Sequence, residues 1–286
     1  MQFEWKPLED VLREAEALFR KEHVPREEFL LKVREISELE LHPAGSTVRV
    51  DSTPANDIDL IVVLDKLEEG KIHEASKLLS KYNPPRTLHL LFLTPHYIEV
   101  MNETSDMRKP YKLFKIRELK YLAKDVWKLE RRLREEEGKK VWIWTPNHLS
   151  PSAFYNTCTF SIPLNGNQPL AELLDKKKAL GGIEAHARAF FDTKVDPTVY
   201  VSLYSRPRLF YEGLLKACRT KLLKEGKTFK GNLIQLKKER ELTQKYDVLV
   251  GKVLQLRVNG EHVPKRVLKE VRRAYVKCCE ELLDAH

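Results

Sequence analysis

The sequence has little cysteine, and Cys158, Cys218, Cys278 and Cys279 show no C-x-x-C spacing and no histidine pair nearby. A zinc site is therefore not indicated, and we expect reduced, partly buried thiols. The chain also lacks the G-x-x-x-x-G-K-[ST] motif, so a P-loop nucleotide-binding protein is not expected. No serine-centred triad suggests itself, and no internal repeat or low-complexity tract is seen.

Long apolar runs are missing as well. The longest uninterrupted run is Leu60–Leu64, far short of the roughly 20 apolar residues that cross a bilayer. The first residues include Glu4 and a charged amphipathic pattern instead of a basic region followed by an apolar core. We therefore expect no signal peptide, no membrane partner and a cytoplasmic location.

Charge is distributed unevenly along the chain. Residues 1–103 hold 13 Lys and Arg against 20 Asp and Glu, a net charge of −7. Residues 104–286 hold 38 against 22, a net charge of +16. A strongly basic half joined to an acidic one favours an anionic partner for the basic half.

One stretch, residues 41–64, carries the clearest pattern for chemistry. Gly45-Ser46 is followed by ten residues and then by Asp57-Ile58-Asp59, which leads into the apolar run Leu60–Leu64. Successive side chains of a strand point to opposite faces, so Asp57 and Asp59 share a face about 7 Å apart while Ile58 points into the core. Two such carboxylates beside a glycine turn can hold Mg²⁺ on a bound triphosphate. A solvated strand start is the alternative interpretation of Asp-x-Asp alone.

This pattern resembles the signature of the DNA polymerase beta-like nucleotidyltransferase superfamily, which includes CCA-adding enzymes, poly(A) polymerases and antibiotic nucleotidyltransferases. The resemblance implies transfer of a nucleoside monophosphate from a nucleoside triphosphate, with ATP the expected donor, to an acceptor hydroxyl. It implies two Mg²⁺ ions on Asp57, Asp59 and a third carboxylate, for which Glu99 is the candidate because Tyr97–Met101 is predicted to be a strand. It also implies that Gly45, Ser46 and Arg49 bind the nucleotide.

The predicted fold class is α+β, with a polymerase beta-like sheet and helices followed by a mainly helical C-terminal domain. The pattern of apolar residues predicts a helix over Leu8–Phe19, a second helix from Pro25 to Leu39, a strand entering the Gly-Ser turn and a strand at Leu88–Leu93. A long basic helix is expected over Tyr111–Glu137, and strand-like pieces at Val141–Trp144 and Thr157–Ile162. We place the domain boundary at residue 103, with a catalytic domain over 1–103 and a basic acceptor-binding domain over 104–286.

The acceptor is inferred from the second half. Cations interleaved with aromatic residues suit a nucleic-acid strand, so an RNA end is the expected acceptor. The candidate cations are Lys120, Lys124, Arg131, Lys216, Arg219, Arg272 and Arg273. The alternatives are solvated helices around an aromatic core, a transferase for a protein side chain or small molecule, and a catalytically silent nucleotide- or RNA-binding relative. The oligomeric state is not indicated.

Overall fold

The computed structural model describes residues 3–48, 57–82, 84–103, 117–146, 149–189, 206–229, 231–238 and 244–284. The chain forms two compact units: residues 22–182, called the sheet unit, and residues 1–21 with 183–286, called the helical unit. The units therefore do not divide at residue 103, where the sequence predicts a boundary. A basic helix and a fourth strand beyond that residue belong with the sheet.

The sheet unit contains a four-stranded mixed sheet whose strands are adjacent in chain order. They are β1 (Glu40–Pro43), β2 (Ile58–Val63), β3 (Leu88–Leu93) and β4 (Val141–Trp144). β1 runs antiparallel to β2, whereas β2, β3 and β4 are mutually parallel. The fold class is α+β, as predicted, and the strands at Leu88–Leu93 and Val141–Trp144 are confirmed.

Helices join the parallel strands, since a parallel neighbour requires a crossover connection. The first crossover, between β2 and β3, contains α2 (Glu69–Lys81). The second, between β3 and β4, contains α3 (Pro95–Glu103) and α4 (Arg117–Arg131), which is followed by a π-helical turn at Arg132–Glu136. After β4 come α5 (Pro151–Thr159) and α6 (Leu170–Leu173).

The two faces of the sheet differ because strand residues alternate between them. On one face Ile58, Leu60 and Val62 of β2 lie beside buried leucines and Phe92 of β3, and α2, α4 and the end of α1 (Leu8–Val33) pack on them. The other face, called the site face, carries Asp59, His89 and Trp142, which lie directly opposite one another in register. The sheet thus has one wholly apolar face and one that presents chemical groups.

Helix α1 runs without a break from Leu8 to Val33, so the predicted start of a second helix at Pro25 is wrong. A proline inside a helix removes one backbone hydrogen bond. Burial of residues before and after Pro25 offsets that loss. Ala15 and Phe19 are buried in the core of the helical unit, and Phe29 and Val33 are buried in the core of the sheet unit.

Residues 97–101 form part of α3 and not the predicted strand. Pro95 occupies the first turn of the helix, where its missing N–H costs nothing, and Thr94 accepts the Tyr97 N–H at its N-terminus. Tyr97, Ile98 and Met101 are the buried residues, which is helical spacing. The strand-like piece at 157–162 is also wrong, because α5 begins at Pro151 behind a Ser150 cap and includes residues 157–159.

Within its described residues, the helical unit contains the start of α1, the end of α7 (Lys176–Arg188) and four further α-helices. These are α8 (Arg208–Lys224), α9 (Leu233–Lys238), α10 (Asp247–Asn259) and α11 (Lys265–Asp284). Its core includes Phe210, Tyr211 and Tyr275. All four cysteines of the protein are buried free thiols, as expected. Within the described ranges, no helix is both long enough and apolar enough to span a bilayer.

Candidate metal centre

The Gly-Ser turn lies against the backbone of Asp59. After β1 the chain forms a short 3₁₀ helix over Gly45–Val48. The Ala44 N–H donates to the Asp59 carbonyl at 2.9 Å, and the Asp59 N–H donates to the Thr47 Oγ1 at 2.7 Å. Because Thr47 is buried, these two hydrogen bonds fix the position of the Asp59 backbone relative to the turn.

Glycine is required at position 45 for two reasons. Its φ of +54° lies in the left-handed region that side chains disfavour. A Cβ placed there would also lie 2.3 Å from Asp59 Oδ2, well inside contact distance. The turn therefore lies so close to the Asp59 carboxylate that only glycine fits at position 45.

A buried arginine supports the turn from within the sheet unit. Arg26 of α1 is fully buried, and its guanidinium donates to the Ser46 carbonyl at 2.8 Å. The Ser46 side chain is half-buried and Gly45 is exposed, so the outer side of the turn is open to solvent. Neither Arg26 nor Thr47 is among the residues expected from the sequence. Arg26 is 20 positions away from its partner, and no local pattern marks it.

The charged group of the site face consists of Asp57, Asp59 and His89. Asp59 on β2 is the register partner of His89 on β3, and Asp57 immediately precedes β2. His89 Nδ1 lies 2.9 Å from Asp57 Oδ2 and 3.5 Å from Asp59 Oδ1. One ligand atom from each of the three residues lies within 4.8 Å of the others, so the group can bind a metal ion.

The two carboxylates change the protonation of the histidine. Burial of the ring is the largest single influence and would lower the pKa of His89. The hydrogen bonds and negative charges of Asp57 and Asp59 together outweigh it and raise that pKa to about 9. In the absence of an ion, the imidazole is therefore a cation at neutral pH and partly neutralises the two acids.

Glu99, the residue predicted as the third carboxylate, lies elsewhere. It is on α3 instead of a strand, its side chain is 73% exposed, and His96 Nδ1 lies 3.8 Å from its carboxylate. The expectation that Glu99 is on a strand neighbouring Asp57 and Asp59 is therefore wrong, and His89 is the residue found beside them. Arg49, the predicted phosphate contact, lies outside the described residues.

Aromatic side chains flank His89 on the site face. Trp144 stacks on the His89 ring with centroids 5.1 Å apart and an interplanar angle of 29°. Trp142 meets the same ring edge-on at 6.4 Å, and the Arg134 guanidinium lies 3.9 Å from the Trp142 ring centroid. Since Trp142 keeps 39% of its surface exposed, a flat, solvent-accessible platform lies next to the charged group.

A small cavity opens beside Asp59 and His89. Its volume is about 110 Å³, and its lining includes Gly45, Asp59, His89, Trp144, Leu149 and Thr157. A buried water needs roughly 10–15 Å³ of such space, so the cavity is large enough for several waters or part of a hydrated ion. The cavity therefore connects Gly45 of the turn, the Asp59 carboxylate and the aromatic wall.

No family model matches the chain, and no curated protein matches it.

Proposed function

We propose that this protein is a divalent-metal-dependent nucleotidyltransferase that moves a nucleoside monophosphate from a nucleoside triphosphate to an acceptor hydroxyl. The observation that carries the proposal is the close approach of Gly45 to Asp59, which puts an open glycine turn and two strand carboxylates side by side. A triphosphate needs both: backbone N–H groups for its terminal phosphates and carboxylates for the ions that bridge its oxygens.

Each residue has a distinct part in the proposed reaction. Asp57 and Asp59 hold the ion, and the exposed side of the turn, Gly45 and Ser46, binds the phosphates. A bound ion supplies charge neutralisation and activates the acceptor hydroxyl. The acceptor oxygen bonds to the α-phosphorus as its proton passes to solvent, the bond between the α-phosphorus and the bridging oxygen breaks, and pyrophosphate leaves. The wall formed by Trp144 excludes water from one side and offers a face for the base.

Label transfer from α-labelled nucleotides tests the proposal. The protein is incubated with each of the four labelled triphosphates, Mg²⁺ or Mn²⁺, and three acceptor pools: total RNA, protein and small hydroxylated compounds. Asp59→Asn is expected to lower transfer by at least about a thousandfold, because it removes the charge that holds the ion. Asp65→Asn is the matched control, since Asp65 is an exposed carboxylate paired with Lys71. Absence of transfer to every pool, or equal rates in both variants, would overturn the proposal.

RNA is the proposed acceptor. The helical unit holds 26 Lys and Arg against 18 Asp and Glu, a net charge of +8. In the sheet unit, Trp142 with Arg134 above its ring, and Trp127, 60% exposed, offer stacking surfaces to a single strand. Two of the predicted cations serve the fold instead: Arg219 is buried and donates to the Phe229 carbonyl, and Lys216 pairs with Glu212. The Lys120 side chain lies outside the described part of the chain.

Salt dependence tests the RNA proposal. If the protein contacts six phosphates, raising the salt concentration from 50 to 200 mM should weaken RNA binding roughly a thousandfold. Trp142→Ala should weaken binding of a labelled RNA strand by about 1–3 kcal/mol if a base stacks there. Salt-independent binding, or transfer to protein or small molecules in the absence of RNA, would instead favour a protein side chain or small molecule as acceptor.

One observation favours a second candidate, a catalytically silent nucleotide-binding protein. His89 stands where a third carboxylate would complete an all-oxygen site, and its contacts with both acids partly neutralise them without an ion. Binding of labelled triphosphate that depends on Gly45 and Asp59, with no transfer or pyrophosphate release, would support this candidate over the first.

A further inference from the structure

The third member of the charged group contributes a nitrogen. Mg²⁺ prefers oxygen ligands and keeps several waters, and its sites are built from carboxylates and phosphates. Imidazole is a ligand of the first-row transition metals. These ions bind a site that contains a nitrogen ligand more tightly than Mg²⁺ does. Replacing one carboxylate by His89 therefore changes which ion the site favours.

The arrangement of donor atoms is already close to that of a bound ion. Two ligand atoms that are adjacent on an ion with bond lengths of about 2.1 Å lie about 3 Å apart. His89 Nδ1 is 2.9 Å from the Asp57 oxygen and 3.5 Å from the Asp59 oxygen. An ion can thus enter with small side-chain movements, and the proton on Nδ1 passes to water as the metal–nitrogen bond forms.

The His89 ring is held in this orientation by its surroundings. Trp144 stacks on one side of it and Trp142 contacts it edge-on, while β3 places the residue opposite Asp59. A ligand whose ring is fixed before binding loses little freedom on coordination. The nitrogen therefore points at the carboxylates through the packing of the sheet unit as well as through electrostatic attraction.

We propose that Asp57, Asp59 and His89 form a two-carboxylate, one-imidazole site that binds a first-row transition dication in preference to Mg²⁺. Mn²⁺ is the probe of choice because it binds most weakly among the first-row dications, so a preference for it over Mg²⁺ is the most demanding test, and because it is paramagnetic. The inference rests on the proposed function only for the use of the ion in transfer. The preference among ions stands independently.

Direct metal binding to the intact chain, without nucleotide, tests the inference. Competition titration should show Mn²⁺ binding at least about tenfold more tightly than Mg²⁺. Pulsed EPR of bound Mn²⁺ should show coupling to one ¹⁴N nucleus, a measurement that needs no variant. Asp57→Asn should weaken Mn²⁺ binding at least about tenfold.

Substitution of the histidine sharpens the test. His89→Asp converts the site to three carboxylates, so the ¹⁴N coupling should vanish and the preference for Mn²⁺ should narrow or reverse. His89→Asn, which introduces a neutral side chain without the imidazole nitrogen, should also abolish the nitrogen signal. His96→Asp is the matched control: His96 is 72% exposed on α3, and its replacement should leave both readouts unchanged.

The outcomes separate this inference from the proposed function. Nitrogen-coupled Mn²⁺ binding without any transfer would refute the transferase proposal alone. Transfer by a protein that binds Mg²⁺ and Mn²⁺ equally, with no ¹⁴N coupling, would overturn the metal inference alone. Failure to bind either ion would overturn the metal inference and leave His89 as a substitute for the ion.

Discussion

The two units use their buried polar groups differently. In the helical unit, Gln255 accepts the Lys6 N–H and donates to the Glu4 carbonyl, and Arg219 donates to the Phe229 carbonyl, so both bind chain segments of their own unit. In the sheet unit, Arg26 and Thr47 hold the Gly-Ser turn and the backbone of Asp59. The comparison teaches that Arg26 and Thr47 of the sheet unit position a charged group, whereas Gln255 and Arg219 of the helical unit secure packing.

The charges of the two units also differ, though less than the sequence halves suggest. The halves divided at residue 103 carry −7 and +16, whereas the sheet unit carries +1, from 25 Lys and Arg against 24 Asp and Glu, and the helical unit +8. The contrast shrinks because the basic stretch around α4 belongs with the sheet. The sheet unit is therefore nearly neutral overall, with cations of its own near an acidic site.

Among substitutions that leave the charged group itself intact, the largest effect is expected from Gly45→Ala. The new Cβ would displace the Asp59 carboxylate and occupy a disfavoured φ, so transfer and Mn²⁺ affinity should each fall about a hundredfold or more. Gly138→Ala is the control: Gly138 has a φ of +63° but open space around its Cβ position, so it isolates backbone strain. Equal metal affinities in the two variants would show that the close approach to Asp59 does not matter.

Core substitutions in the two units test whether effects on stability can be separated from effects on metal binding. Leu90→Ala in the sheet unit and Leu254→Ala in the helical unit both remove fully buried side chains, so each should lower the free energy of unfolding by about 2–5 kcal/mol. Leu31→Ala, at a residue 62% exposed, should change it by less than about 0.5 kcal/mol. Only Leu90→Ala should also weaken Mn²⁺ binding, because Leu90 adjoins His89 on β3. Metal affinity that falls equally with Leu254→Ala would contradict this separation.

A hydroxyl in each unit provides a finer test. Thr47→Val keeps the shape but leaves the Asp59 N–H without its acceptor, which should cost about 1–3 kcal/mol in unfolding free energy and weaken Mn²⁺ binding. Thr220→Val in α8 removes only a side-chain bond to the Lys216 carbonyl of the same helix and should be close to neutral. Chemical denaturation and metal titration measure both. A larger loss of unfolding free energy in Thr220→Val than in Thr47→Val would contradict this expectation.

A dependence of stability on pH is expected from the helical unit. Burial, together with the charge of Lys216 and against that of Glu212, lowers the pKa of His186 from 6.5 to about 3. Between these values the unfolded chain binds a proton that the folded chain does not, so stability should fall as pH drops from about 6.5 toward 3. The slope from this group is at most about 1.4 kcal/mol per pH unit.

Denaturation at several pH values measures this slope. His186→Phe should remove the contribution of the group, whereas His96→Phe, at an exposed position, should leave the slope as in the wild type. An unchanged slope in His186→Phe would contradict the assignment.

Prediction from sequence succeeded where a pattern is local and strong. The strands Leu88–Leu93 and Val141–Trp144 have the predicted bounds, because runs of apolar residues at strand spacing dominate their neighbourhoods. It failed at residues 97–101, where a short apolar stretch fits either structure. The Thr94 cap and Pro95 in the first turn favour the helix.

The sequence by itself determined that Asp57 and Asp59 lie on or beside an apolar strand and that a glycine turn precedes them, since both follow from short-range spacing and conformational preference. Only the tertiary structure decided that His89 and not Glu99 completes the charged group, and that Arg26 and Thr47 support it. The reason is register: pairing of β2 with β3 sets which residue faces Asp59, and that pairing depends on burying the apolar face of both strands at once. A histidine within an apolar strand carries no local sign of such a neighbour.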